Sequence, residues 1–89
     1  MNSGVKIAYY RKRDWDKLMD MIVDRESMHP SWEDWFTSFT KTKKILSAQG
    51  FEVTHVTVDL QELTDYCRQQ GIENDGKARS RFVQEKGSI

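Results

Sequence analysis

The chain is short of the residues that most often announce a function. It has one cysteine, one proline, two histidines and no net charge, with 14 basic side chains balanced by 14 acidic ones over 89 residues. Lone Cys67 cannot form an internal disulfide, and without a second cysteine His29 and His55 lack the spacing of a zinc site. No metal or other cofactor is expected. A balanced charge argues against generic nucleic-acid binding, which usually needs a strongly basic domain. There is no signal peptide and no apolar run long enough to cross a bilayer, so the expected location is cytoplasmic, with no membrane partner. A nucleophile elbow, a glycine-rich phosphate loop and an oriented Cys-His pair are also missing. No catalytic residue is assigned, and the expectation leans away from an enzyme.

What is present is aromatic and charged. Only 37% of the residues are apolar and 31% are charged, so the core must be lean. Three Trp, three Tyr and four Phe compensate, because each can bury a large area. A chain of this length supports one core. It reads as a single α+β domain over residues 1–89, loose at 1–4 and frayed at 84–89.

The pattern occurs nearly twice. A β-branched and aromatic run leads into an Asp-preceded amphipathic helix at residues 5–23 and again at 51–71. In the first unit Val5, Ile7 and Tyr9 alternate as a strand. Asp14 stands where an N-cap would be, and Trp15, Leu18, Met19, Ile22 and Val23 form a helical stripe. The single proline, Pro30, ends that helix. Ser31 opens the next, with Trp32, Trp35, Phe36, Phe39 and Leu46 on one face and Gly50 as its stop. The second strand, 51–58, shifts apolar phase between Val53 and Val56, which implies a bulge or cover on both faces. Asp59 with Glu62 makes a capping box for a third helix that Gly71 ends, and Asn74-Asp75 caps a fourth. The order is β-α-α-β-α-α. Two antiparallel helices between the strands predict a small antiparallel sheet packed on helices in two layers.

Three features are candidate sites. The aromatic segment reads as core, with Trp32 near the helix start as its surface end. Lys77, Arg79 and Arg81 crowd the first turns of the last helix, where cations oppose the helix dipole unless an anion or a carboxylate lies near. They form an anion- or nucleic-acid-binding candidate, and the competing reading turns Arg79 inward to a carboxylate. Asp16, Asp20 and Asp24 follow at i, i+4 and i+8, an acidic ridge that could receive a basic partner such as the last helix of a second protomer. Cys67 falls on the apolar stripe with Leu60 and Leu63, where cysteine behaves as a small hydrophobe.

The segment Ser31-Trp32-Glu33-Asp34-Trp35, paired with Asp75-Gly76-Lys77-Ala78-Arg79-x-x-Phe82-Val83, resembles small bacterial proteins of unknown function. The resemblance implies a bacterial or phage origin and no activity. The leading functional expectation is a small cytosolic interaction module that binds a partner protein or itself as a homodimer. The alternative is an anion- or nucleic-acid-binding domain built on the basic start of the last helix.

Overall fold

A computed structural model describes residues 4–86. Strand β1 (Gly4–Tyr9) leads through a 3-10 turn at Lys12–Asp14 into helix α1 (Trp15–Met21). A second 3-10 turn, Arg25–Ser27, precedes the long helix α2 (Trp32–Ala48), which returns the chain to strand β2 (Glu52–Thr57). Helices α3 (Leu60–Gln70) and α4 (Gly76–Lys86) complete the fold. The expected loose and frayed ends lie outside the described residues except for Gly4, which opens β1, and residues 84–86, which are helical.

The two strands pair in parallel, not antiparallel as the sequence predicts. The reason is helix length. Two matched helices between the strands would cancel, but α1 has 7 residues and α2 has 17. At 1.5 Å per residue these are about 10 Å and about 25 Å, against about 20 Å for a six-residue strand. Only α2 travels the length of the sheet, and one return stroke makes the strands parallel.

Helix α1 stops early because tertiary partners capture the residues after it. Ile22 is already extended, the Val23 N–H donates to the Asn74 carbonyl at 3.1 Å, and Asp24 binds Arg79. Val23, expected on the apolar stripe, is therefore exposed, while Ile22 is buried without being helical. Asp14 is not the cap the sequence suggests. It closes the 3-10 turn with helical backbone angles, and its carboxylate sits 3.8 Å from Arg11. The other caps form where expected. Ser31 accepts from Asp34 N–H at 3.1 Å, Asp59 from Glu62 N–H at 3.0 Å and Asp75 from Ala78 N–H at 2.9 Å. Gly50 and Gly71 take the positive φ that ends α2 and α3.

The strand register runs unbroken from Gly4↔Glu52 to Tyr9↔Thr57, so the phase shift in β2 is not a bulge. It reflects cover on both faces. Tyr9 and His55 share one face and meet Phe39 of α2 at ring distances of 5.5 and 4.9 Å. Val56 points the other way and is buried. Lys6 shares that second face, and its ammonium donates to the Gln84 carbonyl of α4 at 3.2 Å. Helices thus flank the sheet on both sides, the usual setting for parallel strands and one layer more than the sequence predicts. Leu18, Val58, Leu63 and Val83 lie at the centre of the core, and Tyr10, Trp15, Trp35 and Phe39 build its aromatic wall.

Candidate functional site

Arg79 organises the charged side chains. It is one-twentieth exposed, and its two terminal nitrogens grip Asp24 side by side, Nη1 to Oδ1 at 2.9 Å and Nη2 to Oδ2 at 2.7 Å. Nη1 also reaches the Asn74 carbonyl at 3.2 Å and side-chain oxygen at 3.3 Å, and Nη2 lies 3.7 Å from the Met28 sulfur. The fork matches a carboxylate in geometry as well as charge. The guanidinium holds the Asp24 carboxyl below the usual carboxylate range, chiefly through the hydrogen bond. Beside it, burial pushes the Tyr10 hydroxyl up against the opposing pull of Arg79.

This one ion pair divides both clusters that the sequence marks. Of the basic trio, Arg79 turns inward while Lys77 and Arg81 stay exposed, so the three do not converge on an anion. Asp75 also takes the Ala78 N–H that such an anion would use. Of the acidic ridge, Asp24 leaves to meet Arg79, and Asp16 and Asp20 remain exposed on α1.

Asp16 and Asp20 then join Trp32. The three line one cleft of about 440 Å³ between α1 and the start of α2, whose floor includes Trp15 and Met19. Trp32 donates its indole N–H to the Tyr10 carbonyl at 2.8 Å, which fixes the ring. Lys12 bonds Glu33 at 2.7 Å and holds its ammonium 5.9 Å from the Trp32 ring centre. Lys12 and Glu33 neutralise each other at the rim, and Asp16 and Asp20 outnumber Arg25 there. The arrangement offers a mainly polar cleft with one aromatic wall and a net negative border. Sequence reasoning missed Lys12, Met19 and Arg25 as its walls, since nothing local ties Lys12 to Glu33.

The remaining aromatics grade from core to surface. Trp35 and Phe39 are buried, whereas Phe36, expected on the same stripe, is exposed and stacks on Trp32 with 4.9 Å between ring centres. Cys67 is buried and free, and burial pushes its thiol up, away from a reactive thiolate. Desolvation, then the nearby Lys43, lowers the His55 pKa. Among the described residues no three His, Cys, Asp or Glu side chains gather as a metal site requires, and no helix is long and apolar enough to cross a membrane.

Comparison with protein-family models, with curated proteins and with solved structures finds no match to this chain.

Proposed function

We propose that the chain is a small non-enzymatic interaction module whose acidic aromatic cleft receives a basic segment of a partner protein. The observation that carries this reading is the convergence of Asp16, Asp20 and Trp32 on one cleft. Asp16 and Asp20 are exposed beside a fixed indole that already meets Lys12 and Phe36, so an incoming basic side chain would be held by the two carboxylates rather than by the ring face. The chain itself carries a basic surface of this kind at the exposed start of α4, where Lys77 and Arg81 stand one helical turn apart, so a second copy could supply it. A two-fold dimer would use each cleft and each α4 once, and a cytosolic homodimer is the form the proposal takes. The phosphate-binding alternative is weaker, because Arg79 is committed to Asp24.

Sedimentation velocity tests the reading. The expected result at micromolar concentration is a dimer at low salt that weakens as salt screens the exposed charges. A monomer at both low and high salt contradicts self-association through these faces. A dimer indifferent to salt contradicts the charged cleft as its contact.

A further inference from the structure

The outer edge of β1 carries a second feature, independent of the acidic cleft. The backbone phase of β1 follows from three hydrogen bonds. The Tyr9 carbonyl accepts from Val58 N–H at 2.9 Å, so Tyr9 and, by alternation, Ile7 face β2. The Lys6 carbonyl accepts from Gln84 Nε2 at 3.1 Å and the Tyr10 carbonyl from Trp32, so Lys6 and Tyr10 face outward. Ala8 lies between them on the same outward row, with its N–H and C=O directed away from the sheet. Two side chains, Gln84 and Trp32, thus stand in for a third strand on either side of Ala8 and, among the described residues, leave the outward N–H and C=O of that one residue open between them.

That residue borders a cleft of about 410 Å³, within the size range of ligand sites. Lys6, Ile7 and Ala8 line it consecutively, so it wraps around the strand edge, and Met28, Trp35 and Val83 supply apolar walls. Lys6, His29 and Arg79 also line it, the Arg79 charge being matched by Asp24, so that Lys6 is the cation that gives it its sign, and none of its lining residues is Asp or Glu. Its sign is therefore opposite to that of the Asp16–Asp20 cleft. Lys6 and Ile7 project from opposite faces of the strand, which places the cationic wall on one face and an apolar wall on the other.

We infer that this edge is a docking site for a short extended segment of a partner protein that alternates acidic and apolar residues. The segment adds as a third strand, exchanging two main-chain hydrogen bonds with Ala8. Its acidic side chains meet the Lys6 face and its apolar ones the Ile7 and Trp35 face. A two-stranded sheet gains from such an addition, because pairs of strands alone are marginal.

The probe is a blocked pentapeptide alternating valine and glutamate, with a glutamine counterpart, titrated into the ¹⁵N-labelled protein. In the free protein the Ala8 amide should exchange rapidly while Ile7 and Tyr9 are protected. On binding, the Ala8 amide should shift and become protected. The glutamine peptide and the His29→Glu variant should each bind about tenfold more weakly, a factor that equals one charge-assisted hydrogen bond. Ala8→Pro removes the outward N–H without touching the ladder to β2, since proline is tolerated where a strand N–H faces away from its partner. That variant should stay folded and lose about tenfold or more in peptide affinity. Slow exchange at Ala8 in the free protein overturns the assignment of the open edge. Shifts confined to Val53 and Thr57, on the outer row of β2, place the strand on the wrong edge and overturn the site, as does equal affinity for the two peptides.

Discussion

Replacing Asp24 by alanine should cost about 3 kcal/mol, because it leaves the Arg79 guanidinium buried without its counter-charge. The side chain of Arg79 is 6% exposed and that of Asp24 is 22%, so water can relieve the loss only in part. Asn74 and the Met28 sulfur remain as neutral neighbours and do not replace a carboxylate. Chemical denaturation of the variant should show a lower midpoint with little change in slope. Replacing both partners, as in D24A/R79M, should recover part of the loss, since the desolvated charge is then gone. The effect also has a pH signature. The folded-state carboxyl is held below the range it occupies in the unfolded chain, so the unfolded state binds more protons as pH falls. The contribution of Asp24 is complete above the ordinary carboxylate range and shrinks as pH drops through it. It vanishes once the folded-state carboxyl protonates. The gap between wild type and D24A should therefore narrow on acidification, and a gap that widens would contradict the ion pair.

Trp35→Ala should be comparably severe, at about 3–5 kcal/mol. Trp35 is buried in van der Waals reach of Tyr9, Tyr10, Trp15 and Phe39, with ring centres 5.1 to 6.0 Å away. It joins α1, α2 and β1 in one cluster, and no smaller side chain can touch all of them. A domain of this size holds about 5–10 kcal/mol in total, so much of the variant population should unfold under mild denaturant. An unchanged midpoint in chemical denaturation would contradict the burial.

Local features of the fold are written plainly in the chain. Ser31, Asp59 and Asp75 each cap a helix through an N–H three residues away, which is a short-range interaction that composition and spacing reveal. Gly50 and Gly71 are similarly local, and the burial of Trp35 and Phe39 follows from helical periodicity. The strand direction is not local. It depends on where α1 stops, and that is decided by Asn74 and Arg79, the latter 55 residues beyond Asp24. A continuous i, i+4, i+8 run of aspartates looks like one helix face until a distant arginine extracts its last member. The same contact explains why the basic trio is clustered in sequence but does not converge in space. Its middle residue turns into the core and only Lys77 and Arg81 remain outside. Asp16, Asp20, Asp24 and Trp32 stand out in the sequence as interaction-surface residues, but no cleft does, and the meeting of Asp16, Asp20 and Trp32 depends on the packing of α1 against the start of α2.

The central functional claim is that the Asp16–Asp20–Trp32 cleft of one copy seats the Lys77–Arg81 face of another. Charge reversal with cross-mixing tests it most directly. D16K/D20K and K77E/R81E, each examined alone by sedimentation velocity at low salt, should be monomeric because like charges face each other across both contacts. An equimolar mixture should restore a dimer, since the reversed cleft then meets the reversed helix and the native cleft meets the native helix. Dimers in either variant alone, or a mixture that remains monomeric while wild type dimerises, would contradict the claim.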